Sequence, residues 1–261
     1  MTLLGHDRYC DEIITQTTSI RDLLKDADLS ATVPTCPDWT LARLVRHIGT
    51  LLYAGDTAVR TGTAVDDPAE VPEAAGPDGD DPAELDAWLA EGAARCSGAL
   101  RGTDPGTPMR LWNLPRDTAF WARRATHELV VHRADVAVTV EAAYTVAPEV
   151  AVDTVDELLE LFGAWQHSGS PGLAKLRGLD GSIHLHATDT GADLAAEWLI
   201  ELGEDGFTWR HGHEKATVAL RGPICDVLRV IYRRLPPGSE RVEVLGESAL
   251  LDSWLEHTSF G

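Results

Sequence analysis

The hydrophobic period of this chain changes once, and that change constrains the fold more than any other feature. Up to about residue 165, apolar residues recur at three- and four-residue intervals, the spacing that gives a helix one buried face. Ile13, Ile20, Leu23 and Leu24 mark such a face over 7–27. Leu41, Leu44, Val45, Ile48, Leu51 and Leu52 mark one over 40–61, with Thr40 a suitable N-cap behind Cys36-Pro37-Asp38-Trp39. Further helical patterns cover 82–101, 115–139 and about 148–165. Residues 166–181, QHSGSPGLAKLRGLDG, read as a linker. Beyond them the period shortens to two. SIHLHA alternates, EWLIELGEDGFTWRHG reads as strand, Glu-Asp-Gly turn and strand, and ATVALRG is another strand. A helix from Pro223 to Arg234, the strand RVEVLG and the helix ESALLDSWLEH complete the chain. The expected fold class is α plus α+β, with a four-helix bundle at 1–167 and a smaller α+β domain at 176–261.

Composition removes several classes of function. Acidic side chains number 42 against 22 basic ones, a net charge of -20. Affinity for phosphate backbones and for anionic lipid surfaces comes from Lys and Arg, so neither nucleic acid nor a membrane is the expected partner. No apolar run approaches the roughly 18 residues of a spanning helix. The opening MTLLGHDRYCDE lacks the segments of a secretion signal. Cys10, Cys36, Cys96 and Cys225 are scattered, with no CxxC pair, as in a chain of the reducing cytoplasm. The stretch from Asp66 to Glu91 holds ten acidic residues and no basic one, and its Pro- and Gly-rich first half reads as a solvated surface loop.

The segment FWARRATHELVVHRAD, from Phe120 to Asp135, carries the most chemistry. A zinc-protease helix needs two histidines four residues apart. His127 and His132 are five apart, about 140° around a helix, so they cannot grip one ion from one face. Glu128 and His132 are four apart, only about 40° around, and can share one. A third ligand has to come from another helix. His47 is the candidate, because it lies on the inward stripe Leu44, His47, Ile48, Leu51. Facing helices of a bundle are a recognised way to build such a site, and two His, one carboxylate and an open position form a catalytic zinc pattern. The alternative for each residue is structural: an inward His hydrogen-bonded in the core, and an E-x-x-x-H pair forming a weak ion pair on a solvated helix.

The order of CPDWTLARLVRHIG, FWARRATHELVVHRAD and a terminal α+β domain resembles the mycothiol-dependent maleylpyruvate isomerase family, within the wider DinB-like group of metal-binding helical bundles. The residues carrying the resemblance are Pro37, Trp39, Thr40, Leu44 and His47, then Trp121, Arg124, His127, Glu128, His132, Arg133 and Asp135, with one shift in spacing ahead of His127-Glu128. The resemblance implies that His47, Glu128 and His132 bind Zn²⁺, other divalent metals being acceptable to such ligands. It implies mycothiol as co-substrate. It also implies a sterol-carrier-like second domain, in which Gly222, Val227 to Tyr232 and then Arg233-Arg234 match the family pattern. Arg234 is the best match for a substrate-binding arginine, with Arg233 adjacent; the alternative is that both complement a helix C-terminus. Asp135 either orients the ring of His132 or pairs with Arg133 or Arg124.

The expected activity is that of a zinc-dependent enzyme activating a small thiol for attack on an electrophilic small molecule, of thiol S-transferase type. A cis–trans isomerase of the maleylpyruvate type uses the same ligands. A metal-containing binding or regulatory protein without catalysis is the third reading. His184 and His186 on one strand, with His211 and His213 two strands on, could suggest a second metal cluster. They are read instead as the polar positions of a half-exposed antiparallel sheet. Cys36 is read as a small buried residue rather than a nucleophile. No glycine-rich phosphate loop and no G-x-S-x-G elbow occurs.

Overall fold

The structure is a computed structural model that describes residues 4–63, 71–111, 114–167 and 170–258. It divides into two compact units, Met1–Tyr144 and Thr145–Gly261.

The first unit is a four-helix bundle of α1 (His6–Leu24), α2 (Leu41–Thr61), α3 (Pro82–Arg101) and α4 (Thr118–Thr139). Helix α1 packs on α3 and α4, and α2 packs on the same two, so the four close around one core. Ile13, Ile20, Leu44, Ile48, Leu52, Leu89 and Val130 fill it and are shielded from solvent. Three of the four helices start at a side-chain cap. Thr40 caps α2 by accepting from the Arg43 N–H. Asp81 caps α3 ahead of Pro82, and Asp117 caps α4 by accepting from the Phe120 N–H. Helices α2 and α3 approach closely because Gly49 leaves room for Trp88; a Cβ there would lie 2.1 Å from the indole. Trp88 in turn stacks on Tyr53 at 5.5 Å.

Two short hairpins escape the sequence pattern: β1 (Thr32–Val33) with β2 (Cys36–Thr40), and β3 (Pro108–Leu111) with β4 (Leu114–Asp117). Both are too brief for a period-two signal to emerge. The acidic stretch lies at the surface as expected, with Glu73, Asp78, Asp80 and Asp81 exposed, but its backbone is fastened. Its residues 64–70 lie outside the described residues; from Val71 onward the chain is held to α2 and α3. Trp88 donates to the Glu73 carbonyl at 2.9 Å and Thr50 to that of Ala74 at 2.9 Å. Arg46 donates to the carbonyls of Pro77 and Gly79 at 2.9 and 2.7 Å and to Asp80 at 3.0 Å.

The second unit contains α5 (Pro148–Trp165), α6 (Pro171–Ala174), α7 (Ile224–Ile231), α8 (Ser248–His257) and a five-stranded sheet. The strands are β5 (Gly181–Ala187), β6 (Glu197–Gly203), β7 (Gly206–His211), β8 (Val218–Gly222) and β9 (Glu243–Gly246), in the order β7-β6-β5-β8-β9. Strands β5 and β8 are parallel and the other neighbours antiparallel. Gly206 takes φ 124°, which lets the tight turn between β6 and β7 close.

The boundary between units corrects the expected bundle limit of 167. Helix α5 belongs with the sheet, not with the bundle. Asp156 on α5 accepts from the buried Trp198 indole at 2.6 Å, and the Thr154 carbonyl accepts from the Tyr232 hydroxyl at 3.2 Å. An apolar stripe shows that a helix buries a face; it does not show against what. Among the described residues no helix is long and apolar enough to cross a membrane.

Candidate metal centre

Helix α4 sets out its polar residues one turn at a time. Arg124, Glu128 and His132 follow at four-residue intervals and share a face. Arg124 ion-pairs with one carboxylate oxygen of Glu128. The other oxygen, Oε2, faces His132 Nε2 at 3.3 Å. On the far side of the ring, His132 Nδ1 meets Oδ2 of the fully buried Asp135 at 3.0 Å. Thr35, in the β1–β2 turn, donates to the other Asp135 oxygen at 2.6 Å. Asp135 thus stands behind His132, where it can orient the ring, and Arg133 covers the ring of Tyr144 at 5.0 Å.

Helix α2 brings His47 to the same place. Its ring lies edge-on to that of His132, with centroids 4.8 Å apart. Trp39, at the end of β2, walls the outer side of His47 at 5.1 Å, and the Arg43 guanidinium covers Trp39 at 4.8 Å. One ligand atom from each of His47, Glu128 and His132 falls within 4.8 Å of the others. His127 is buried on another face of α4, where its ring meets Tyr9 edge-on at 6.1 Å. Helix α4 thus sends His132 and His127 to different faces.

The electrostatics divide the three residues. Burial, reinforced by the neighbouring His132, lowers His47 to about 4, so it is neutral at physiological pH with a lone pair to offer. Burial alone would raise Glu128, but Arg124 and His132 outweigh it and hold the carboxyl well below its usual range. Burial would lower His132, but Asp135 and Glu128 hold it up at about 9. Two of the three groups are therefore already in the protonation state that metal ligation requires, and only His132 has a proton to give up. That proton is the one on Nε2, facing Glu128, where a cation would relieve the same negative charge. The donor set of two imidazoles and a carboxylate, with its Asp135 outer partner, fits a borderline divalent ion such as zinc.

The helical unit offers no internal sulfur nucleophile from Cys10 or Cys96. Burial pushes their thiols up to about 11 and about 12. In the second unit, α7 ends at Ile231 and not at the expected Arg234. Arg233 takes a left-handed φ of 61°, and Arg234 turns back to donate to the Tyr232 carbonyl at 2.7 Å. Sequence reasoning missed Thr35, whose link to Asp135 spans two distant segments and leaves no local pattern.

Residues 10–137 match the profile of the mycothiol maleylpyruvate isomerase N-terminal domain, and residues 149–253 match that family's C-terminal domain. The chain belongs to the mycothiol maleylpyruvate isomerase family. Membership of that family makes it an enzyme. Two solved structures resemble it over 95% of this chain and 97% of their own. One is a crystal structure of the mycothiol-dependent maleylpyruvate isomerase (TM-score 0.59, 15% identity), the other a histidine-to-alanine mutant of it (TM-score 0.60, 16% identity). At these identities the likeness is one of fold, and it extends through both the bundle and the sheet unit. Among curated proteins, none matches this sequence.

Proposed function

We propose that this chain is a divalent-metal-dependent enzyme that activates mycothiol for attack on an electrophilic small molecule, with transfer of the thiol as its reaction. One observation carries the reading: His47, Glu128 and His132 converge within 4.8 Å, in a family described by its use of mycothiol. These three residues would hold the cation, and a cation bound there would supply the Lewis acidity that keeps a thiol deprotonated near neutral pH.

The protein's own groups prepare the site for sulfur. Two neutral imidazoles and one carboxylate offset only half of a divalent charge, so the ligand set favours an anionic fourth partner. Arg124 fixes the rotamer of Glu128 by holding its second oxygen. Asp135 takes Nδ1 of His132 and leaves Nε2 for the site. Trp39 shields His47 on one side. In this reading the sulfur comes from outside the chain; burial keeps the Cys10 and Cys96 thiols protonated. In transfer, the thiolate forms a carbon–sulfur bond, the leaving group departs with the electron pair of the bond that breaks, and the thiol proton passes to solvent. Arg234, with Arg233 beside it, is our candidate for holding a substrate carboxylate.

The family description favours a second reading, cis–trans isomerisation of the maleylpyruvate type. There the thiolate adds to a carbon–carbon double bond, the adduct rotates about the resulting single bond, and the thiol is expelled unchanged. One experiment separates the two. Zinc-loaded full-length protein is incubated with mycothiol and either a panel of electrophiles, including a bimane and a chloronitrobenzene, or maleylpyruvate. Loss of free thiol with formation of an S-conjugate establishes transfer. Conversion of maleylpyruvate to its trans isomer with the thiol undiminished establishes isomerisation. No thiol-dependent reaction with any of them overturns the proposal.

A further inference from the structure

The sheet unit gathers a second set of ligating side chains, separate from the three in the bundle. His184 and His186 alternate along β5 and so project from one face. Glu197 is the register partner of His186 on antiparallel β6 and therefore stands on that face beside it. Past the end of β7, the Gly212 N–H bonds to the Glu197 carbonyl at 3.1 Å and brings His213 alongside. His211, one position before that glycine, is the register partner of Trp198 and turns away from the group. Its Nε2 lies 3.3 Å from Asp156, so the four alternating histidines of the sequence do not act as a set.

The three remaining imidazoles converge on one atom. Nε2 of His184 and Nδ1 of His186 each lie 2.9 Å from Oε2 of Glu197, and Nδ1 of His213 lies 2.5 Å from it. Their ring centroids stand 5.2–5.5 Å apart in all three pairings, each ring steeply inclined to the others. A carboxylate oxygen offers two lone pairs, so three imidazole N–H groups exceed what it accepts well. The same four groups are fully satisfied if the nitrogens present lone pairs, with a cation between them and the carboxylate. One ligand atom from each falls within 4.8 Å of the others. Tetrahedral zinc ligands stand about 3.4 Å apart, given bonds of about 2.0–2.2 Å. The Glu197 oxygen is nearer than that, and a withdrawal of under about 1 Å opens the centre. Its side chain is 29% exposed and has room to move.

We propose that His184, His186, Glu197 and His213 form a second metal site, selective for a divalent first-row transition ion. Three imidazoles and one carboxylate favour Zn²⁺, Ni²⁺ or Cu²⁺ over Mg²⁺ and Ca²⁺, which require oxygen ligands. With four protein ligands the site is of the closed, structural kind, and the ion ties β5, β6 and the segment beyond β7 together. His184 is buried at the back, and His213 is 71% exposed in side chain at the front. A cavity of about 570 Å³ lined by His186, Glu197, His213 and Arg221 gives the ion its way in. The sequence could reveal the His184–His186 pair but not Glu197, which joins them only through strand register.

The test is zinc stoichiometry in the full-length chain, stripped with a chelator, equilibrated with zinc chloride and gel-filtered. The wild type is expected to retain about two ions per chain and the His47→Ala variant about one, bound in the sheet. Adding His213→Gln to His47→Ala should weaken the remaining zinc by about tenfold or more. Adding His186→Ala should abolish it, together with the rise in Tm that zinc gives the His47→Ala parent. His213 is exposed, so its glutamine variant tests the site without disturbing the core, and circular dichroism verifies that each variant is folded. If the His47→Ala variant retains no zinc through gel filtration, or retains it unaltered after both sheet substitutions, the sheet site does not exist. A wild type whose single ion is lost on His47→Ala leaves the bundle site standing and removes this one. A single ion lost on His186→Ala and kept on His47→Ala does the reverse.

Discussion

The rings of His47 and His132 stand edge to face, 4.8 Å between centroids and 85° between planes, although they come from helices separated by the whole of α3. At that distance the protonated His132 helps to keep His47 neutral. In the proposed site they are a pair of ligands, with Glu128 completing the set. Replacing His47 by Ala should remove about one equivalent of zinc per chain, because losing one of three protein ligands is severe. Folded His127→Ala protein should keep that equivalent, since His127 faces Tyr9. Mass spectrometric metal analysis of both variants checks the pair, and zinc loss from His127→Ala alone would refute the assignment.

Asp135 acts on His132 from behind. With Asn in its place, the carboxylate that holds His132 Nδ1 at 3.0 Å is gone, and the ring loses its fixed orientation and part of its basicity. Zinc affinity at the bundle site should fall by about 10–100-fold. In metal-free protein the His132 titration should move to lower pH. Competition with a chromophoric chelator reads the first effect and proton NMR of the imidazole reads the second. Unchanged affinity together with an unchanged titration would show that Asp135 serves only the fold.

Cation binding should be strongly pH-dependent. His132 titrates at about 9 in the cation-free protein, with burial lowering it and Asp135 and Glu128 raising it further. Ligation needs the neutral ring, so below that pH each unit of acidification should cost about tenfold in apparent affinity, and above it the dependence should flatten. The linked stability has a definite sign. A His raised above its unfolded value of 6.5 gives stability that is fully present below 6.5 and lost as the pH rises through about 9. Metal-free protein should therefore lose this contribution between those limits, while zinc-loaded protein should not. His47, lowered to about 4, contributes nothing in that window. Isothermal titration at pH 7, 8 and 9 checks the slope; a flat profile contradicts it.

Thiol labelling tests whether the buried Cys10 or Cys96 could supply the sulfur. Burial raises Cys10 to about 11 and Cys96 to about 12, so neither forms appreciable thiolate at pH 8. A disulfide reagent at pH 8 should leave both unmodified in native protein and modify them once guanidinium unfolds it. Peptide mapping identifies the sites. Rapid native modification of Cys10 or Cys96 would reopen an internal nucleophile.

The parts of this protein legible in its sequence are those set by local geometry. The helical period sets the common face of Glu128 and His132 and the separate direction of His127 without any tertiary contact. Thr40 and Asp117 mark helix starts through hydrogen bonds that span only a few residues. What the sequence left dark depends on long-range pairing. The Thr35–Asp135 hydrogen bond joins two remote segments. Helix α5 shows an apolar stripe that suits a bundle or a sheet equally, and its allegiance rests on Asp156 reaching Trp198. The strap from Val71 to Asp81 reads as a solvated acidic run, and no local pattern shows that Arg46 and Trp88 hold its carbonyls.

The direct test of the account is whether sulfur reaches the ion in the bundle. Full-length protein carrying cobalt(II) in place of zinc should develop a sulfur-to-cobalt charge-transfer band when mycothiol is added. The band should persist in His186→Ala protein and be absent from His47→Ala protein. A cobalt-loaded wild type that shows no such band, or a His47→Ala variant that retains it, would contradict the account.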